Sequence, residues 1–285
     1  KFCVVPYTRG TEFSRPINEI LEEAKILVNN GAKEITLLGQ NVNAYNNDGK
    51  RLSEIISEIH KIDNLERVRY TTSHPIDFSE DLINAHQKFE KLMPLIHLPV
   101  QSGSNKILNN MNRRHSIEHY LEIIRRLKKV NPLVKFSSDF IIAYPGESTK
   151  DFEKTLNLMK EVKFINSYSY IFSPRPGTPA ASMRTIDGNI AKERLILFQK
   201  VADEIKLEYK KTLLNKNTTV LFENKIKDKN DEYFGRDNYL NPVVVKSNEN
   251  LIGKIKTVKI KSGNKNTLFG SINREYLNEK EGFAA

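Results

Sequence analysis

The segment Glu34-Ile35-Thr36-Leu37-Leu38-Gly39-Gln40-Asn41 shows the pattern that decides the fold of most of this chain. A short apolar run of strand length ends directly in a glycine and two amides. Apolar residues recur at helical spacing before it, over Pro16 to Asn30, and after it, over Leu52 to Ile62. The segment is therefore predicted to be a strand between two amphipathic helices.

The same alternation of strand and helix patterns continues to Phe172. The predicted strands are Arg67–Thr72, Pro94–Val100, Lys135–Ala143 and Ser167–Phe172, and the predicted helices are Phe78–Lys88, Ser104–Asn110, Ile117–Val130 and Thr149–Val162. Such alternation is typical of βαβ units with a parallel sheet. Five strands, with a sixth expected before Lys1, are too few for a closed eight-stranded barrel. We predict an α/β fold with a partial (βα)6 barrel whose strand ends share one face.

The pattern changes after Asn215, where five short strand-like runs follow one another. They are Thr218–Phe222, Tyr233–Arg236, Pro242–Val245, Gly253–Ile260 and Thr267–Ile272. This spacing predicts a small antiparallel, OB-like β-barrel. A long charged helical stretch, Arg184 to Leu214, precedes it. We therefore expect one domain over residues 1–214 and a second over residues 215–285.

Composition and charge narrow the classes of partner. The chain of 285 residues carries a net charge of +10, which favours a polyanionic partner, although solvated lysines are a commoner cause. A single cysteine excludes a disulfide within the chain. The sequence contains no apolar run long enough to cross a membrane. We expect a cytoplasmic monomer.

Six segments of the chain closely resemble the radical S-adenosylmethionine (SAM) methylthiotransferase family. They are Val4–Gly10, Leu37–Tyr45, Thr71–Pro75, His97–Ser104, Ser137–Ile142 and Ser173–Ala180. In that family three cysteines spaced C-x-x-x-C-x-x-C bind a 4Fe-4S cluster, and Cys3 matches the third. The resemblance implies that the chain is truncated at its N-terminus and that the other two cysteines, with the first strand, precede Lys1.

The resemblance also implies a reaction and its cofactors. The expected activity is methylthiolation of carbon 2 of dimethylallyl-adenosine next to the anticodon of tRNA. The implied cofactors are SAM, the 4Fe-4S cluster and an auxiliary cluster on a separate N-terminal domain. Flavodoxin or ferredoxin is the implied electron donor, and the small barrel resembles a TRAM domain that binds RNA.

Three other functions remain open from the sequence. Related enzymes methylthiolate threonylcarbamoyl-adenosine in tRNA or a ribosomal protein. The chain is alternatively a fragment that binds RNA without catalysis. Because the chain has only one cluster cysteine, we expect these 285 residues alone to be inactive. Anaerobic reconstitution of a stable, SAM-cleaving 4Fe-4S cluster on them would disprove this expectation.

Several polar residues at predicted strand ends are candidates for cofactor binding. Gly39 allows close approach of a ligand to the backbone, although the turn itself is reason enough for a glycine. Arg113 offers a fork of donors for a carboxylate, or is simply exposed. Asp139 interrupts an apolar strand and is expected to face a cavity. With the family resemblance, the candidate cofactor-binding residues are Phe2, Gly39, Gln40, Asn41, Gln101, Ser102, Arg113 and Asp139, with Cys3 as the metal ligand. His74 and His97 are interpreted as polar pocket wall rather than a zinc site.

Basic residues supply the candidate RNA contacts. Residues 250–273 contain five lysines and no acidic residue. Lys254 and Lys256 share one side of a strand, as do Lys259 and Lys261. A basic face on a small β-barrel is typical of proteins that bind the RNA backbone, and a solvated face is the alternative. The candidate RNA-binding residues are Arg9, Arg175, Lys254, Lys256, Lys259 and Lys261.

Overall fold

The computed structural model describes residues 3, 4, 8, 10, 13–229 and 231–272. The helices are α1 (Ile17–Asn29), α2 (Leu52–His60), α3 (Glu80–Lys88), α4 (Asn105–Met111), α5 (Ile117–Val130), α6 (Thr149–Val162) and α7 (Gly188–Lys211). The first seven strands are β1 (Glu34–Leu37), β2 (Asn46–Asn47), β3 (Lys50–Arg51), β4 (Arg67–Tyr70), β5 (Leu95–His97), β6 (Lys135–Ile142) and β7 (Asn166–Ile171). A short hairpin, β2–β3, was not predicted.

Five of these strands form the half-barrel. β1 pairs with β4, and β5, β6 and β7 pair in that order, all in parallel. A parallel bridge between Val68 and Leu92 joins the two groups. The predicted partial parallel barrel and its five strands are therefore confirmed, while the sixth strand was expected outside the described residues.

Alternating residues of β6 separate the outer core from the inner face. Phe136, Phe140 and Ile142 are buried among the surrounding helices, as the period of two in a strand requires. The Phe140 ring lies 4.8 Å from that of Phe198 on α7. Asp139 points to the opposite, inner side and is partly exposed. The helices thus cover one side of the sheet, and Asp139 lies on the side that they leave uncovered.

His86, on α3, is a buried histidine within this core. Its Nε2 lies 2.7 Å from the hydroxyl of Tyr70, and burial lowers the pKa of His86 to about 3. The unfolded chain therefore binds a proton near pH 6.5 that the folded chain does not bind until about pH 3. This contribution to stability is complete above pH 6.5 and declines as the pH falls.

Replacement His86→Gln is expected to flatten the acid limb of the stability curve. Glutamine keeps an acceptor for the Tyr70 hydroxyl but does not titrate. Between roughly pH 6 and pH 4, the slope of unfolding free energy against pH should decrease by about 1.4 kcal/mol per pH unit. Urea titrations at several pH values measure this slope, and identical slopes in both proteins would contradict the assignment.

The C-terminal strands close into a second, small barrel. They are β8 (Asn217–Lys225), β9 (Glu232–Asp237), β10 (Pro242–Lys246), β11 (Ile255–Gly263) and β12 (Leu268–Ile272). Their order around the barrel is β10-β12-β11-β8-β9. All five predicted strands are confirmed; β10 and β12, however, pair in parallel rather than antiparallel. The barrel has its own core around Val220, Phe222 and Val258.

Arg67, at the start of β4, connects the half-barrel to the small barrel. Its Nη2 donates to the carbonyl of Thr219 (2.9 Å), and its Nη1 donates to the carbonyl of Arg236 (3.1 Å). The carboxylate of Glu34 on β1 lies 3.7 Å from the same guanidinium. Burial lowers the pKa of Arg67, and Glu34 opposes that shift. A buried, multiply bonded arginine therefore ties the two units together.

Arg69, two residues along β4, extends this contact. It donates to the carbonyls of Asn238 (3.0 Å) and Asp237 (3.3 Å) and pairs with Glu34 at 3.0 Å. Because the side chains of β4 alternate, Arg67 and Arg69 point to the same inner side of the half-barrel. The small barrel thus docks against two arginines of one strand.

Candidate functional site

The ends of β1 and β4 are held together by hydrogen bonds across the loops that follow them. The amide of Thr71 donates to the carbonyl of Leu37 (3.2 Å), and the amide of Val42 donates to that of Thr72 (3.1 Å). Thr72 adopts a left-handed conformation with φ of 67°. The polar loops after neighbouring strands therefore lie side by side on one rim.

Gly39, Gln40 and Asn41 line a cleft of about 600 Å³ beside α1 and α2. A Cβ at Gly39 would lie 3.3 Å from the Cα of Val42, so the loop is tight at this position. The Asn41 amide nitrogen donates to Asp77 (2.7 Å), while its buried oxygen, Oδ1, has no partner among the described residues. A buried unpaired acceptor is suited to an ammonium ligand.

Arg113 lies next to the same rim, just beyond the end of α4. Its Nη2 donates to the carbonyl of Pro99 (2.7 Å), and its buried Nε has no partner in the described part of the chain. Burial lowers the pKa of Arg113 to about 10, and the nearby Asp139 and Cys3 oppose that shift. Cys3, Arg113 and Asp139, which were predicted separately, thus lie within electrostatic reach of one another.

Asp139 faces the inner side of the half-barrel. Its Oδ2 lies 3.5 Å from Nε2 of His97, and the side chain keeps 34% of its surface exposed. The other ring nitrogen of His97 lies 3.0 Å from the hydroxyl of Ser137. The carboxylate is therefore partnered and still accessible to a ligand.

His74, partly buried, and His115, buried, form a pair of neighbouring rings, of which the sequence pattern indicated only His74. Their ring centroids lie 5.6 Å apart, and His115 is only 6% exposed. Neither ring nitrogen of His115 has a partner among the described residues. Burial and the charge of Arg113 lower the pKa of His115 to about 3 and that of His74 to about 4. Two neutral rings thus lie near Arg113. The position of His115 two residues after Arg113 was the only sequence feature that could have indicated its place in this site.

Gln101 and Ser102 follow the end of β5 but are placed differently. Gln101 is left-handed, with φ of 74°, and its amide donates to the carbonyl of Asp139 (3.0 Å). Ser102 is fully buried, with its hydroxyl 3.4 Å from that of Thr155 on α6. Gln101 therefore lies at the rim, whereas Ser102 supports it from behind.

Gly103 fixes this loop against α6, and its substitution provides a direct test. A Cβ at Gly103 would lie 2.5 Å from the carbonyl oxygen of Lys154 and 2.6 Å from the Cα of Thr155. Because both are backbone atoms, Gly103→Ala is expected to lower the free energy of unfolding by roughly 1–3 kcal/mol. Gly188→Ala is the matched control, since nothing lies within 4 Å of that position. Chemical denaturation should separate the two variants; equal stabilities would contradict this packing.

The remaining predicted residues are dispersed. Phe2 and Arg9 lie outside the described residues. Arg175 is exposed in the proline-rich turn after β7, where its carbonyl accepts from Thr178 (2.8 Å from Oγ1).

The four lysines of the small barrel do not share one face. Lys259 and Lys261 alternate with the buried Ile260 and point outward from β11. Lys256 lies on the inward-facing side of the strand and is partly buried, and Lys254 precedes the strand. Lys256 and Lys259 are separated by an odd number of positions, so the pair Lys254 and Lys256 lies on the opposite side of β11 from the pair Lys259 and Lys261.

Family models match both parts of the chain. Residues 1–159 match the radical SAM superfamily. The chain belongs to the radical SAM superfamily. Residues 211–272 match the TRAM domain, which corresponds to the small barrel. The predicted family and the pairing of a radical SAM half-barrel with a TRAM barrel are thus confirmed.

Relatives of this radical SAM chain share one name. The chain is 54% identical, over 275 residues, to the tRNA-2-methylthio-N(6)-dimethylallyladenosine synthase of Pelagibacter ubique. The match covers 95% of this chain and 61% of that protein. The synthase of the same name from the Wolbachia of Culex pipiens is 49% identical, with 94% and 62% covered. The chain thus spans about three fifths of the length of these relatives. A solved methylornithine synthase is 15% identical, with a TM-score of 0.49 over 69% of this chain and 55% of that one.

The radical SAM cofactors fit the residues present to different degrees. The unpaired Asn41 acceptor and Arg113 donor match the ammonium and carboxylate of SAM. Cys3, exposed near Arg113, is the one thiol in these 285 residues, whereas three thiolates hold a cluster of this kind. Among the described residues, no group of three or more His, Cys, Asp or Glu side chains is placed to hold a metal ion.

Proposed function

We propose that the protein containing this chain methylthiolates carbon 2 of dimethylallyl-adenosine next to the anticodon of tRNA. The observation that carries this proposal is the 54% identity, over 275 residues, to a relative named for that reaction. The same name recurs among the other close relatives, which favours this substrate over threonylcarbamoyl-adenosine or a ribosomal protein.

We infer that SAM binds on the rim formed by the ends of β1, β4 and β5. Asn41 accepts a hydrogen bond from the ammonium group, and Arg113 donates to the carboxylate. Gly39 and Gln40 offer their backbone to the ammonium group as well. Gln101 contacts the ribose of SAM, and Phe2 packs on its adenine. The nearby His74 and His115 rings are neutral at physiological pH, so they add no positive charge to that of the Arg113 guanidinium.

Cys3 is proposed as one of three ligands of the 4Fe-4S cluster, and the other two belong to the part of the protein outside this chain. A cluster bound there would supply the electron for reductive cleavage of SAM. Asp139, the remaining charged candidate for SAM binding, lines the inner face together with His97, and the target adenosine is directed toward the same face. The protein's task is to orient the two substrates and exclude water. An auxiliary cluster on a further domain is proposed as the sulfur source.

The TRAM barrel is proposed to bind the tRNA backbone. Lys259 and Lys261 point into solvent from β11, and the exposed Lys254 and the partly buried Lys256, on the other side of the chain, are proposed as further contacts. Arg9 and Arg175 are proposed to contact the RNA near the half-barrel. In the described part of the chain no helix is both long and apolar enough to cross a bilayer. We propose that the protein acts as a cytoplasmic monomer with flavodoxin or ferredoxin as its electron donor.

Removal of the outward lysines is expected to weaken RNA binding in a salt-dependent way. The double variant Lys259→Ala, Lys261→Ala should bind tRNA more weakly, and the slope of log affinity against log salt should fall by about 0.7–0.9 for each phosphate that the variant no longer neutralises. Lys150→Ala with Lys160→Ala, both exposed on α6, is the matched control and should leave the slope unchanged. Filter binding across a salt series measures both quantities. A slope equal to that of the unaltered chain would contradict the assignment of RNA binding to this face.

A further inference from the structure

A groove runs along the outer edge of β7, at the open side of the half-barrel. It has a volume of about 390 Å³ and lies between β7, one face of α7 and the loop that follows β11. In the described ranges β7 pairs only with β6, so no strand covers this edge. The groove lies apart from the rim proposed for SAM, and it has the size of a small-molecule or nucleotide site.

Two exposed tyrosines dominate this edge. Tyr168 and Tyr170 keep 52% and 63% of their surface exposed. They alternate along β7 with Ser169 and therefore point to the same side, roughly 7 Å apart. Large aromatic rings left in solvent beside one another are unusual on a folded chain unless they bind a partner. Successive nucleobases stack on aromatic rings arranged in this way.

Two lysines flank the same groove. Lys206 of α7 and Lys265 of the β11–β12 loop both line it, and Asp203 pairs with Lys265. The buried Lys210 donates to the carbonyl of Lys265 (2.8 Å) and so fixes the loop on the helix. Burial lowers the pKa of Lys206, and the positive charge of Lys265 lowers it further against the effect of Asp203. A phosphate between the two ammonium groups would relieve this repulsion.

The groove also connects the two regions proposed to act on RNA. At one end, Lys265 lies in the loop that follows β11, the strand from which Lys259 and Lys261 point outward. At the other, Tyr168 pairs in register with Asp139, and its ring centroid lies 6.1 Å from that of His97. A strand of RNA that follows the edge of β7 thus passes directly from the TRAM barrel to the inner face of the half-barrel.

We propose that this groove binds a single-stranded stretch of the RNA substrate, with bases stacked on Tyr168 and Tyr170 and a phosphate between Lys206 and Lys265. The proposal rests on the proposed function and adds the path by which the RNA reaches the inner face. A peptide that adds a strand to β7 is the other occupant this edge suits. RNA is favoured because the groove is lined by two lysines, Lys206 and Lys265, against one carboxylate, Asp203, and is bounded by a loop of the TRAM barrel.

The test is equilibrium binding of a fluorescent anticodon stem-loop RNA to the 285-residue chain. The double variant Tyr168→Ala, Tyr170→Ala should bind at least about tenfold more weakly, whereas Tyr168→Phe, Tyr170→Phe should bind like the unaltered chain, because phenylalanine retains the stacking face. Lys206→Ala should weaken binding and reduce the salt slope, which the tyrosine variants leave unchanged. Ile196→Ala and Lys200→Ala, at exposed positions of α7 that do not line the groove, are the controls.

A second measurement does not depend on the folding of any variant. Photocross-linking of the unaltered chain to RNA carrying 5-bromouridine in the loop should give adducts on Tyr168 or Tyr170 by mass spectrometry. Unchanged affinity of the alanine variant, with adducts only elsewhere, would overturn the groove while RNA binding stands, and would leave the edge to a peptide strand. Failure of the unaltered chain to bind the RNA at all would overturn the groove and the proposed RNA substrate together.

Discussion

Replacement Arg67→Ala is expected to lower the free energy of unfolding by about 3–5 kcal/mol, since it leaves a buried ionic site without its cation. The carbonyls of Thr219 and Arg236 are left without their donor, and Glu34 keeps only its ion pair with Arg69. Because these partners join the half-barrel to the TRAM barrel, the variant should also separate their unfolding. Differential scanning calorimetry should therefore show a lower and broader transition, or two transitions.

The matched control is an ion pair at the surface. Lys61 lies 2.7 Å from Glu58, and both side chains are largely exposed. Lys61→Ala should change the unfolding free energy by less than about 1 kcal/mol. If Arg67→Ala were as mild as this control, the buried docking contact between the two barrels would be refuted.

Replacement Arg113→Ala is expected to weaken SAM binding by roughly 10-fold to 150-fold, the effect of removing a hydrogen bond to a charged group. Arg113→Lys should recover only part of the affinity, because an ammonium lacks the fork of donors that matches a carboxylate. The measurement is equilibrium dialysis with labelled SAM and the cluster-loaded protein, with thermal unfolding as a check on the fold.

Arg114→Ala is the control for this prediction, since Arg114 is the next residue in the chain and is exposed. It should bind SAM like the unaltered protein. Equal SAM affinity of the Arg113 and Arg114 variants would mean that the unpaired Nε of Arg113 serves another purpose, and the rim proposed for SAM would have to be moved.

Much of the architecture follows from local periodicity. The apolar positions of β6 alternate around Asp139, so both the strand and the inward direction of that carboxylate could be predicted. The five strands of the TRAM barrel were found for the same reason. The placement of the two lysine pairs on opposite sides of β11 was also available, since Lys256 and Lys259 differ by an odd number of residues.

Contacts between segments that are distant in the sequence could not be predicted from local patterns. Arg67 bonds to Thr219 and Arg236, which are 152 and 169 residues further along the chain. In the sequence Arg67 is only a charged residue at the start of a strand, with no periodic signal of a partner. The edge groove at Tyr168 could not be predicted either, because the exposure of a strand residue depends on which other elements cover the sheet.

The central claim is tested most directly by analysing the nucleosides of tRNA treated with the complete gene product that contains this chain. The protein is reconstituted anaerobically with iron and sulfide, then incubated with SAM, a reductant and tRNA carrying dimethylallyl-adenosine. We expect mass spectrometry to show conversion of that nucleoside to its 2-methylthio derivative, and loss of the conversion on Cys3→Ala. Cluster-loaded protein that leaves dimethylallyl-adenosine unchanged, or modifies threonylcarbamoyl-adenosine instead, would contradict it.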